Sequence, residues 1–126
     1  MDLGRKVLVV DDELSLSNII ALKLKQEGFV PTVCNDGEQA VEALTREQFD
    51  AMLIDVLMPH MDGFAVLHKK AETRNAETPT FMLSAYGNQE YKDEAKRLGV
   101  KGYFVKTGTP LSEIISVLKE ELSGQS

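Results

Sequence analysis

Short apolar runs alternate with amphipathic stretches five times along this chain. The runs predict strands at Lys6–Val10, Pro31–Cys34, Ala51–Asp55, Thr80–Ser84 and Gly102–Lys106. Four of them lack period-two alternation and read as strands covered on both faces, as parallel strands are. The second, within VPTVC, is short and carries a proline, which suits a strand start or a sheet edge. Each following stretch predicts a helix. Leu16, Ile20 and Leu24 share one stripe, with Ile19 beside it. Asp36 can cap a second helix while Gln39 closes a capping box, leaving Ala40, Val41 and Leu44 facing inward. Phe64, Leu67 and Ala71 recur at helical spacing after Gly63, and Asn88–Leu98 is polar enough to predict a thinly packed helix. The last is clearest: Thr109 as cap, Pro110 at the first helical position, then Leu111, Ile114, Ile115, Leu118 and Leu122 on one face.

Strand and helix in alternation, with short connections, imply right-handed crossovers and an α/β fold, a parallel sheet with helices on both faces. At 126 residues, without linker, repeat or low-complexity tract, a single domain spanning 1–126 is expected. The net charge of −6 would repel phosphate backbones and argues against direct nucleic-acid binding. The longest apolar runs are too short to span a bilayer, and MDLGRK passes straight into the first strand without a signal-peptide pattern. One cysteine, Cys34, excludes an internal disulfide. A cytoplasmic location, away from membranes, is therefore expected.

In open sheets of this kind, ligands bind outside the carboxyl ends of the strands. The first predicted strand ends on Asp11 and Asp12, the third on Asp55, the fourth on Ser84 and the fifth on Lys106. Three acids in a row, Asp11 to Glu13, are a poor ending for a buried run unless positive charge sits there. Crowded carboxylates either take up protons or hold a hard cation. Carboxylate oxygens completed by water and phosphate are what Mg2+ prefers. Lys106 adds an ammonium that can reach an anion, and Ser84 a hydroxyl donor. Together these are parts for phosphoryl transfer, with metal and ammonium offsetting charge while a positioned oxygen attacks in line.

These residues resemble the receiver domain of two-component response regulators. The resemblance rests on VDDE, on DVLMPHMDG (Asp55, Met58, Pro59, Asp62, Gly63), on LSA (Ser84, Ala85) and on GYFVK (Tyr103, Lys106). It covers almost the whole chain, and the ordered set is far more specific than any one motif. It implies a flavodoxin-like, doubly wound sheet of five strands in the order 2-1-3-4-5. It further implies that Asp55 is the phosphoacceptor, attacking a phosphohistidine on a sensor histidine kinase or histidine phosphotransfer protein. Asp12 would ligate Mg2+ directly and Asp11 through water, with Asp55 and the backbone carbonyl of Leu57 as further ligands. Lys106 would pair with a phosphoryl oxygen, Ser84 would swing toward the phosphoryl group and Tyr103 would rotate inward behind it. The face formed by the fourth helix, fifth strand and fifth helix would then change its surface, in a monomer or a phosphorylation-dependent dimer. Such a domain is a signalling switch rather than a turnover enzyme. Few residues follow Leu122, so either a stand-alone receiver or one excised from a longer regulator is expected.

Two features depart from the family pattern. The lysine is usually followed by proline through a bond that is commonly cis, whereas here the segment reads KTGTP. A cis bond costs about 2.5–4 kcal/mol before a non-proline residue, against about 0.5–1 kcal/mol before proline. A trans Lys106–Thr107 bond is expected, with Gly108 accommodating the altered loop. Leu57 and Tyr86, two positions past the acceptor and the hydroxyl residue, cannot position an attacking water well, which predicts slow self-dephosphorylation.

Plainer readings explain part of the pattern. Asp11 or Asp12 could cap the first helix, but a cap needs one acid. Pro59 and Gly63 make a turn, which leaves Asp55 opposite Asp12 unexplained. His60 and His68 have no ligand spacing; Met52, Met58, Met61 and Met82 read as core or loop fillers, and Cys34 as an inert buried thiol. A haloacid-dehalogenase-type phosphatase would need a second Asp where Leu57 stands. A flavin module would need a phosphate-cradling loop after the first strand, where DDELS places acids instead. A receiver used only as an unphosphorylated platform would not need the intact set of acids, Ser84 and Lys106.

Overall fold

The computed structural model describes residues 4–123. Strands β1 (Lys6–Val10), β2 (Val30–Cys34), β3 (Ala51–Asp55), β4 (Thr80–Ser84) and β5 (Gly102–Val105) pair in parallel in the order β2-β1-β3-β4-β5. Helices α1 (Leu14–Gln26), α2 (Gly37–Arg46), α3 (Gly63–Lys70), α4 (Gln89–Arg97) and α5 (Leu111–Ser123) fill the crossovers. The expected fold and strand order are both present.

Alternate residues of each central strand enter opposite cores. Leu8, Val10, Met52, Ile54 and Met82 pack with Ala40, Leu44, Val66, Leu67 and Ala95 of α2, α3 and α4. Val7, Val9, Leu53, Phe81 and Leu83 pack with Ile20 and Leu24 of α1 and with Ile114, Leu118 and Leu122 of α5. Because both faces are covered, alternation in space leaves continuous apolar runs in the sequence. Burying a leucine or valine side chain stabilises by about 1.5–3 kcal/mol, so these two cores hold the strand ends in place.

Several local expectations shift. β2 begins at Val30, before its proline, and β5 ends at Val105, leaving Lys106 in the following turn. On α3 the inward positions are Gly63, Val66, Leu67 and Lys70, while Ala71 is exposed at the helix end. The glycine itself occupies the stripe and rotates the apolar face by one position. Ile19 lies beside the buried stripe, as expected, and is 54% exposed. Asp36 caps α2 through Gln39 N–H, but Gln39 Oε1 accepts from Asn35 N–H rather than closing back on Asp36. α5 starts at Leu111, and the Pro110 carbonyl accepts its first bonds, so Pro110 precedes the helix instead of opening it. α4 buries only Ala95, the thin packing expected. Among the described residues every peptide bond is trans, Lys106–Thr107 included, and Gly108 N–H closes the turn onto the Val105 carbonyl at 3.1 Å.

Candidate functional site

The site grows from how β1 and β3 end. Asp11 N–H donates to the Cys34 carbonyl at 3.1 Å, tying the residue after β1 to the end of β2. Its carboxylate is buried; Oδ1 accepts the Glu13 N–H at 2.8 Å, so Asp11 braces the entry to α1, whose N-cap is Glu13. Asp55, the last residue of β3, is 5% exposed. The chain leaves it through a tight turn in which Gly63 N–H donates to the Val56 carbonyl at 2.7 Å. A Cβ on Gly63 would lie 2.3 Å from the Asp55 carbonyl oxygen, so only glycine lets α3 begin this close to the strand end. His60, inside the same turn, adopts φ 70, a left-handed conformation that favours glycine.

Lys106 reaches across from the end of β5. Its Nζ lies 2.9 Å from Asp11 Oδ2, 3.3 Å from Asp55 Oδ2 and 3.4 Å from Glu13 Oε1. The approach to Asp11 is an ion pair without hydrogen-bond alignment, so Asp11 Oδ2 is buried with no aligned donor. Burial works against the Lys106 charge, but Asp11 and Asp55 outweigh it and raise its pKa above the ordinary lysine value. The opening row of acids thus has its cation. Carboxylate oxygens of Asp11, Asp12 and Asp55 lie within 4.8 Å of one another. Two of these acids are buried and Asp12 is exposed, so the cluster has an open side. Three hard oxygens, one of them buried without an aligned donor, fit a hard divalent cation such as Mg2+.

Burial pushes the Asp55 carboxyl from 3.8 up to about 6; the charge of Asp11 adds to this, Lys106 opposes it and Asp12 adds again. The folded pKa lies above the unfolded one, so folding favours the protonated acid. Its stabilising contribution is complete below about pH 4 and is lost as pH rises through about 6. That rise corresponds to on the order of 2–3 kcal/mol. In magnesium-free buffer, Asp55→Asn is therefore expected to raise the urea midpoint at pH 7.5, with the gap closing near pH 4. An equal gap at both pH values would contradict this origin of the effect.

Ser84 ends β4 fully buried, and its Oγ accepts the Tyr86 N–H at 3.0 Å. The Tyr86 carbonyl accepts the Tyr103 hydroxyl at 2.6 Å. Tyr103 is half-buried, and burial pushes its phenol pKa up. Ser84 and Tyr103 are thus joined through the backbone of one residue, Tyr86, which the sequence could not reveal because a backbone carbonyl has no residue signature. Glu13, visible only as a third acid, proves to face Lys106. Leu57 and Tyr86 flank the site, 40% and 55% exposed. His60 and His68 stay outside the acidic cluster. Met52 and Met82 are core, and the Cys34 thiol is buried with its pKa pushed up to about 11.

Comparison with known proteins agrees with this geometry. Residues 7–119 match the response regulator receiver domain family. The chain is 32% identical, over 95% of its length, to the regulatory protein VanRc of Enterococcus gallinarum, and spans about half (51%) of that protein. The receiver domain of the Francisella response regulator 1452 superposes with a TM-score of 0.87 at 30% identity, covering 98% of this chain and 100% of that one. The receiver domain of the Pseudomonas aeruginosa PAO1 sensor histidine kinase PA1611 gives 0.85 at 26% identity, covering 95% and 98%, and carries a magnesium ion in its active-site cleft. The chain belongs to the receiver domain family of two-component response regulators, whose members are phosphorylatable signalling switches.

Proposed function

We propose that Asp55 accepts a phosphoryl group from a phosphohistidine on a sensor histidine kinase or phosphotransfer protein, and that residues 1–126 form one receiver domain working in the cytoplasm. The observation that supports this most is a buried carboxylate, Asp55, with an ammonium 3.3 Å from its Oδ2 and two further acids in reach of the same cation site. Asp11, Asp12 and Asp55, with the Leu57 carbonyl, would hold Mg2+, which when bound would offset charge on phosphoryl oxygens. An Asp55 carboxylate oxygen attacks phosphorus, the P–N bond breaks and the imidazole leaves. Lys106 balances charge on the transferred group. Ser84 then exchanges its contact with Tyr86 N–H for a phosphoryl oxygen, freeing the segment that Tyr103 holds from the other side. Through that segment the surface of α4, β5 and α5 changes its partner affinity, in a monomer or a phosphorylation-dependent dimer, to the extent that phosphate contacts the two states differently. A shallow apolar groove of about 150 Å³ beside Lys106, lined by Leu16, Ile19 and Leu111, offers a landing place for a partner helix.

The test is intact mass after incubation with a small acyl phosphate. One added phosphate is expected with Mg2+, and none with chelator or in Asp55→Asn; uptake by Asp55→Asn would refute the assignment. Once formed, the phosphate is expected to be long-lived. Leu57→Asn, which offers a polar group to water, should speed its loss by about three- to tenfold. Unchanged decay in both Leu57→Asn and Tyr86→Glu would remove the explanation.

A further inference from the structure

At the opposite, amino end of the sheet lies a cavity of about 300 Å³ lined by Lys70, Glu77, Thr80, Gly99, Val100 and Lys101, among others. The inward stripe of α3 runs Gly63, Val66, Leu67, Lys70, so an ammonium stands where the helical pattern calls for an apolar side chain. Lys70 is 8% exposed, and its ammonium makes one hydrogen bond among the described residues, donated to the Ala76 carbonyl at 3.1 Å. An ammonium carries three donors, so two remain. A buried charge is tolerated only when paired. Lys101 lines the same space, and its side chain makes no hydrogen bond or ion pair among the described residues. Glu77 is the acid of the lining and supports the Lys70 charge from a distance, without an ion pair to it. Two cations against one anion leave a single positive charge in excess, part of which answers the carbonyl ends of α3 and α4 that close on this region.

We propose that this cavity binds a small oxyanion, a carboxylate or the monoanion of inorganic phosphate, held by Lys70 and Lys101. The site is separate from the acids at the carboxyl end of the sheet, since β4 runs its full length between Thr80 and Ser84, a rise of about 13 Å. It does not depend on the phosphate chemistry at Asp55. Its walls include the residues that follow α4 and precede β5, so a bound anion would also sit against the face expected to switch.

Sodium acetate, and separately inorganic phosphate, titrated into the full chain in chelator at constant ionic strength, tests this by amide NMR. Saturable shifts at Glu77, Gly99, Val100 and Lys101 are expected with at least one of the two anions. Lys70→Met should weaken binding by about tenfold or more, and Lys101→Ser by about threefold. Should Lys70→Met fail to fold, Lys101→Ser, altered at an exposed position, decides. Shifts that grow linearly without saturation, that survive both substitutions, or that gather only around Lys106 would overturn the proposal.

Discussion

Gly63→Ala is expected to destabilise the fold by about 3 kcal/mol or more and to slow phosphate uptake at the same time. The added Cβ would meet the Asp55 carbonyl oxygen at 2.3 Å, the Asp55 carbonyl carbon at 3.2 Å and Met82 Cε at 2.9 Å. The methionine can move, but the backbone of β3 is held by β1 on one side and β4 on the other. Overpacking a well-filled core costs about 1–3 kcal/mol, and more where side chains cannot give way. The start of α3 must therefore back away, weakening the bond from Gly63 N–H to Val56 and moving the residue proposed to carry the phosphate. A shift approaching 1 Å at a reacting group can cost on the order of a hundredfold in rate. Urea denaturation and a timed intact-mass assay read the two effects. Gly108→Ala is the control: a Cβ there meets nothing within 4 Å, though the site lysine is two residues away. Equal stability of the two variants would show that the close approach at Gly63 is not needed.

Asn75→Ala is expected to cost about 3–4 kcal/mol while leaving phosphate uptake intact below the melting transition. Asn75 is completely buried in the loop between α3 and β4. Its Nδ2 donates to the Leu44 carbonyl at 2.7 Å and the Glu47 carbonyl at 2.8 Å. Its Oδ1 accepts from Phe49 N–H at 2.8 Å and from the Thr78 hydroxyl at 2.9 Å. One amide thus satisfies the end of α2, the approach to β3 and the approach to β4. Removing it strands several buried groups at about 1–3 kcal/mol each, less what entering water restores. For a domain of this size that is a fall in Tm of about 10 °C or more. Asn75→Asp keeps the volume but turns the two donors into acceptors facing carbonyls, so it should be at least as damaging. A small Tm change in both variants would mean that water replaces the network without loss.

These two residues mark where sequence reading stops. The strands were legible because sheet residues covered on both faces leave unbroken apolar runs, and all five expected ranges match to within one residue at each end. The convergence of Asp11, Asp55 and Lys106 was legible because strand ends in a parallel sheet share one edge. Ala71 was misplaced because a glycine and a lysine, neither of them apolar, hold two inward positions of α3. Asn75 was invisible because Leu44, Glu47 and Phe49, which it binds through its side chain, lie in segments distant in sequence, and nothing local distinguishes it from a turn residue. The Tyr86 link between Ser84 and Tyr103 was hidden for a similar reason, being made by backbone atoms.

The most direct measurement locates the phosphate. After treatment with acyl phosphate and Mg2+, hydride reduction converts an aspartyl phosphate to homoserine, which peptide mass spectrometry then assigns to a position. Homoserine at residue 55, and at no other aspartate, is the predicted result. Modification at Asp11, Asp12 or Asp62 with Asp55 unchanged would contradict it.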